Sequence, residues 1–255
     1  MEPYSLIAFN TATESTNRIH SDAVAKQYGF RGGLVPGVDV YAYLTHPPVA
    51  AWGRAFLEGG RMRGRFHSPV YDGEVASITS PDGERLELHD PGGVLCADGA
   101  ASMESAAPPS LDDWPDVPQT TIPAPASPES LVVGTAFGLE PHGFHADKHV
   151  QYLADVREEL PIYREQGIAH PGWLLRDANY VLSGNVRLGP WIHVESVVSH
   201  HGVVEDGQTV GCRAVVTNEW EHKGHRFVRM DVVHTADGEA VMRTDHTAIY
   251  QPRGS

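Results

Sequence analysis

The chain has 255 residues, 41% of them hydrophobic and 20% charged, and a formal net charge of −14 from 19 basic and 33 acidic side chains. That apolar content suffices for a packed core and argues against global disorder. The acidity argues against a nucleic-acid backbone or an anionic membrane as the main partner, while a helix N-terminus or a few arginines still suffice to hold a phosphate locally.

In chain order, Ser5 to Asn10 reads as a strand and Thr11 to Ser15 as a polar loop. Asp22 to Tyr28 is a short helix, with Ser21 or Asp22 as its N-cap. A Gly-rich turn follows, and a more apolar helix opens at Pro36-Gly37, with Val38, Tyr41 and Leu44 at helical spacing. Pro47-Pro48 is expected to interrupt it, and Val49 to Leu57 to resume it as far as Gly59-Gly60. Strands are then expected over Arg61 to Phe66, Glu74 to Thr79, Arg85 to His89 and Val94 to Met103, with turns between them. Residues 106–130 hold seven of the nineteen prolines and read as an extended linker.

The signals restart after the linker. Leu131 to Leu139 reads as a strand, Glu140 to Asp147 as a polar loop, and Asp147 to Leu160 and Trp173 to Leu182 as helices. Ile192 to Ser199, Gln208 to Trp220, His225 to Thr235 and a last run ending near Tyr250 read as strands, the third with Val228, Met230 and Val232 on one face.

The halves repeat each other. Ile19-His20-Ser21-Asp22 matches Phe144-His145-Ala146-Asp147, the Pro-Gly pair at Gly37 matches that at Gly172, and Asp72-Gly73 matches Asp206-Gly207, at offsets of 125, 135 and 134. One insertion before Gly172 explains all three. Ala97-Asp98-Gly99 also looks like Ala236-Asp237-Gly238, but pairing them leaves the first half no last strand. We therefore pair Asp90-Pro91-Gly92-Gly93 with Ala236-Asp237-Gly238.

Strand, central helix, then four antiparallel strands is the hot-dog order. The expectation is an α+β double hot dog, with units at residues 1–105 and 131–255 joined by the linker at 106–130. Asn17, Ile19, His20, Asp22, Gly29, Phe30, Pro36 and Gly37 resemble the motif of MaoC-like (R)-specific enoyl-CoA hydratases and hydroxyacyl dehydratases. The resemblance implies water addition to, or removal from, a 2-enoyl or 3-hydroxyacyl thioester of CoA or an acyl carrier protein. It implies no cofactor. A carboxylate and the histidine would activate water, and a helix-opening amide, at Gly37 or Gly172, would hold the enolate oxygen. That family's catalytic aspartate lies five residues before the histidine, where this chain has Ser15, and Glu14 is one residue out of register.

In the second half the same count back from His145 reaches Glu140, and His142 stands at the counterpart of Asn17. Asp177, five residues after Gly172, matches the helix acid of bacterial β-hydroxyacyl-carrier-protein dehydratases. Glu140 and Asp177 are rival partners for His145. The competing readings are structural: His20 or His145 donating to a main-chain carbonyl, Asp22 and Asp147 capping helices, and both glycines serving tight turns. A non-catalytic acyl-thioester-binding module, or a hot-dog thioesterase using Asp177 or Asp39, are the alternative functions.

His142, His145 and His149 could bind a metal if they shared one helix, but Gly143 disfavours that helix, and no metal is expected. Cys96 and Cys212 lie in apolar runs and read as reduced core residues. No signal peptide or apolar run of membrane-spanning length is evident, so a cytoplasmic protein is expected, with the oligomeric state open and a homodimer one option.

Overall fold

The computed structural model describes the whole chain except residues 14, 16, 105 and 255, and only the main chain of Arg18 and Asp22. Glu14 and the side chain of Asp22 therefore lie outside the described residues. In the first half, β1 (Tyr4–Ile7) leads through a 3₁₀ turn at Arg18–His20 to α1 (Asp22–Gln27), α2 (Gly37–Trp52) and α3 (Arg54–Gly59). Then come β2 (Arg61–Phe66), β3 (Val75–Thr79), β4 (Arg85–His89) and β5 (Leu95–Ser102). A two-residue β6 (Ala124–Pro125) lies in the connection. The second half has β7 (Ala136–Gly143), α4 (Ala146–Asp155), α5 (Ile162–Gln166), α6 (Pro171–Asn185) and the short β8 (Val186–Arg187). It ends with β9 (Ile192–His200), β10 (Thr209–His222), β11 (His225–Ala236) and β12 (Glu239–Gln251).

Ten strands form one sheet in the order β1-β3-β4-β5-β2-β9-β12-β11-β10-β7. Read from either outer edge inward, each half has the same order: first strand, third, fourth, fifth, second. The halves join where β2 pairs antiparallel with β9, Arg63 opposite Val197. This is the double hot-dog architecture. It supports pairing the Asp90 turn with the Ala236 turn, since both precede their half's final strand, whereas Ala97-Asp98-Gly99 lies inside β5.

The central helices α2 and α6 pack against the sheet and each other. Helix α2 is buried on nearly every side, from Val38 to Val49, so it has no polar face to turn to water. That burial overrides the expected break: Pro47 and Pro48 lie inside a continuous helix. Their fixed φ suits a helix, and what is lost is two main-chain hydrogen bonds. The break comes instead at Gly53, whose φ is +58°. Conversely, the helix expected over Asp147 to Leu160 ends at Asp155, and Arg157 turns the chain at φ +57° before α5 begins.

Gly172 sits where α6 meets α2. A Cβ there would lie 2.6 Å from Ala42 Cβ and 2.6 Å from the Tyr152 hydroxyl. Gly172→Val is therefore expected to lower stability by about 1–3 kcal/mol by overpacking, read as a lower urea midpoint with an unchanged slope. An unchanged midpoint would mean that the helices separate freely.

The proline-rich connection is a docked strap. Trp114 is buried and donates its indole N–H to the Asp231 carbonyl (2.9 Å). Arg213 binds Asp116 (2.8 Å). A Cβ at Gly138 would lie 1.8 Å from the Val117 carbonyl, so the strap crosses β7 where only glycine fits. No helix among the described residues is long and apolar enough to cross a membrane.

Candidate functional site

The His20 loop is held from several directions. Asn10 Nδ2 donates to the His20 carbonyl (3.0 Å), and Gly33 passes so close that a Cβ would lie 2.1 Å from that oxygen. The His20 Nδ1 lies 2.7 Å from the Leu34 carbonyl. A carbonyl only accepts, so Nδ1 carries the proton and Nε2 keeps its lone pair. Burial lowers the pKa of His20, against smaller opposing effects of the Leu34 carbonyl and Asp39, and favours the neutral ring. Its Nε2 has Asn17 Nδ2 at 3.5 Å.

Asn17 is a latch between the halves. Its Nδ2 donates to the Trp191 carbonyl (3.0 Å), and its Oδ1 accepts from the Trp191 N–H (3.3 Å) and the Ile19 N–H (3.4 Å). Ser15 Oγ accepts from the Asn17 N–H (3.1 Å), which makes it a loop-shaping residue. Among the described residues, no carboxylate lies within hydrogen-bond distance of His20.

A cavity of about 240 Å³ lies against His20 and the first turn of α2. Its walls are mostly apolar, including Ile19, Phe30, Val40 and Phe66. The second half contributes Asn179, Trp191, His193 and Ile249, so the cavity is shared between the units. Gly37 lines it at the start of α2, where main-chain N–H groups lack partners within the helix. His20 and Gly37 thus line the same cavity.

The second half is built differently. Glu140 and His145 do not meet. The strand starts at Ala136, five residues beyond the expected start, and continues to Gly143, so both Glu140 and His142 lie on β7. Glu140 is exposed, and its N–H faces Gln119 Oε1 at 3.5 Å. His145 is exposed at the N-cap of α4 and makes no side-chain capping bond. Asp177 binds His142, not His145: Asp177 Oδ2 is 2.9 Å from His142 Nε2, and this bond raises the pKa of His142.

Gly172 is not an open oxyanion donor, because its N–H donates to His170 Nδ1 (2.9 Å). The space before it is occupied by Ala42 and Tyr152. His149 Nε2 accepts from the His170 N–H (3.0 Å), and no group of three possible metal ligands occurs among the described residues. Asp39 is fully buried; it accepts from Thr11 Oγ1 (2.6 Å) and from Arg176 of the other half (2.9 Å), so it is not a free base.

Sequence reasoning missed three features: the Asp39–Arg176 pair, His193, and a buried Glu158 that accepts from His46 Nδ1 (2.9 Å) and the Leu160 N–H (2.7 Å). All join residues far apart in the chain, and only the apolar run around Asp39 hinted at one of them.

No protein-family model matches the chain, and no curated protein matches it. Solved structures do. A protein described as a MaoC domain dehydratase from Chloroflexus aurantiacus J-10-fl superposes at a TM-score of 0.65 with 15% identity, over 99% of this chain and 95% of that one. A MaoC-like dehydratase superposes at 0.62 with 12% identity, over 98% of each. A conserved hypothetical protein from Mycobacterium tuberculosis, described as a double hotdog fold, superposes at 0.62 with 14% identity, over 97% and 95%. At these identities the likeness shows the fold, over essentially the whole chain.

Proposed function

We propose that the protein adds water to, or removes it from, a 2-enoyl or 3-hydroxyacyl thioester of CoA or an acyl carrier protein, in the cavity at His20. The observation that carries this reading is an apolar cavity ending on a neutral imidazole with an unprotonated Nε2, beside the opening amides of α2. The acyl chain fits the apolar walls, and the thioester oxygen takes the Gly37 N–H.

In hydration, His20 Nε2 accepts a proton from water as the water oxygen bonds to C3. The C2–C3 π pair moves into the enolate, and the imidazolium returns the proton to C2. Dehydration is the reverse. One imidazole therefore serves as both base and acid, as Ser15 at the family's aspartate position requires. The MaoC-like dehydratases among the fold neighbours support the reading.

The test offers purified protein 2-enoyl-CoA and 3-hydroxyacyl-CoA substrates from short to long chain and follows the enoyl absorbance. His20→Ala is expected to lower kcat by about 10²–10⁴ with KM changed little. Absence of turnover with every substrate, or full turnover by the variant, would overturn the proposal.

A second reading is favoured by one observation: no described carboxylate reaches His20. It makes the protein an acyl-thioester-binding module without turnover. Binding of a saturated acyl-CoA together with inert enoyl-CoA would establish it. The thioesterase reading loses its candidate residues, since Asp39 is bound to Arg176 and Asp177 is not among the cavity's lining residues.

A further inference from the structure

We infer that His193 is a second catalytic residue of this cavity, a neutral imidazole that donates its Nδ1–H to the thioester oxygen beside the Gly37 N–H. The inference rests on the acyl-thioester reading above and names a group from the other hot-dog unit.

His193 lies on β9, just past the last residue pair with β2, and lines the His20 cavity. It is only 6% exposed, yet its Nδ1 has no hydrogen-bond partner among the described residues. A buried polar atom left unpaired is costly, and the residue that carries this one is part of the cavity wall. Its place is specific. A Cβ on Gly37 would lie 2.8 Å from this Nδ1 and 3.1 Å from the ring's Cγ. Glycine at position 37 is thus what lets the ring reach the start of α2, where the thioester oxygen is expected. The 16-residue helix directs its positive end to the same point.

The opposite side of the ring is tied down. His193 Nε2 is 2.8 Å from Ser196 Oγ, which is 3.0 Å from His246 Nδ1, and His246 stands opposite Ser196 across the β9–β12 ladder. Ser196 has one hydroxyl proton. When His246 Nδ1–H donates to Ser196 and Ser196 donates to His193 Nε2, His193 must carry its proton on Nδ1. The His246 ring stacks on His193 at 4.4 Å, and Phe66 tilts against it at 4.7 Å, fixing its plane. Burial, with His246 beside it, keeps His193 uncharged by lowering its pKa far below the ordinary value. A neutral imidazole donor polarises a carbonyl without a charge to desolvate. Nothing is transferred from His193 in this role; it strengthens a hydrogen bond as the enolate forms.

The test measures the thioester carbonyl stretch of a saturated, carbonyl-labelled acyl-CoA by isotope-edited infrared difference spectroscopy, which needs no turnover. The bound carbonyl is expected to shift to lower frequency in the wild type, to lose the shift in His193→Phe, and to lose part of it in Ser196→Ala. With enoyl-CoA, His193→Phe is expected to lower kcat about 10²–10³-fold with KM within a few-fold. If that variant does not fold, Ser196→Ala decides, because it keeps the imidazole and removes only its anchor. An equal carbonyl shift in wild type and variants overturns the inference. So does binding without any shift. A polarised carbonyl without enoyl turnover supports the role of His193 and overturns only the hydratase reading. Absence of all acyl-CoA binding overturns both.

Discussion

Acidification is expected to unfold the protein cooperatively between about pH 6 and pH 4.5, with uptake of about four protons by His149, His200, His234 and His246 and a further one by His193. The cause is a set of buried histidines. His149, His200, His234 and His246 are each at most 4% exposed. Burial is the leading cause that lowers His149, His200 and His246 to about 3 and His234 to about 4; neighbouring histidines add to it, and Asp177 opposes it at His234. In the unfolded chain each titrates near the ordinary value of about 6.5. Above that value both states are neutral and these residues leave stability independent of pH. Below it the unfolded state binds protons that the folded state refuses until pH 3–4, so stability falls throughout this window. Four such groups give a slope of about 5 kcal/mol per pH unit and a loss of roughly 8 kcal/mol by pH 5. Typical domain stabilities of about 5–15 kcal/mol do not survive that. Glu158 acts the same way lower down. Despite the opposing effect of burial, His170 and His46 hold it at about 2, so its contribution is present above the ordinary carboxylate range and lost as pH falls from there.

The check is urea unfolding at a series of pH values, with proton uptake taken from the slope. A slope near one proton, or a folded protein at pH 4, would refute the assignment. His234 provides the control, since neither of its ring nitrogens has a hydrogen-bond partner among the described residues. His234→Leu is expected to remove about one proton from the slope and to raise acid stability.

Sequence order carried the fold well because hot-dog strands alternate and their turns are chemically marked. Gly73, Gly207 and Gly238 all have positive φ, at +75°, +87° and +91°. Local signals failed where tertiary packing decided. Pro47 and Pro48 read as a break, but α2 is enclosed on nearly all sides and has nowhere else to go. The strap read as an extended linker from its proline content, which says nothing of docking, and Trp114 is what docks it.

At the site, His20 and Gly37 were legible because they lie 17 residues apart on one folded loop and helix. The reading of Glu140 with His145 assumed that the second copy kept the geometry of the first. Extending β7 to Gly143 moved His142 into reach of Asp177 instead. His193 was invisible, because its relevance depends on the β2–β9 junction bringing a strand of the second unit to a helix of the first.

Asp39→Ala is expected to cost about 3–5 kcal/mol, and Asp39→Ala with Arg176→Met to recover much of that loss. Asp39 is 0% and Arg176 22% exposed at the side chain, with 2.9 Å between Oδ1 and Nη2. Arg176 also donates to Thr11 Oγ1 (3.1 Å) and lies over the Tyr152 ring at 4.5 Å. Deleting the carboxylate leaves a largely buried guanidinium with a hydroxyl and a ring as neighbours, which is why removal of one partner costs more than removal of both. An exposed pair behaves otherwise: Arg54 with Glu205, at 37% and 55% exposure, is expected to contribute under about 1 kcal/mol. Urea midpoints of the two single variants and the double variant give the coupling directly. Strict additivity would show that the charges do not depend on each other. The pair also bears on function, because Asp39 is in the first turn of α2 and Arg176 is on α6. It fixes the helix start that presents Gly37 to the cavity, so Asp39→Asn is expected to reduce turnover by displacing that amide. A thioesterase base would instead be revealed by thiol release from acyl-CoA that vanishes in Asp39→Asn. The two roles thus separate in one pair of assays.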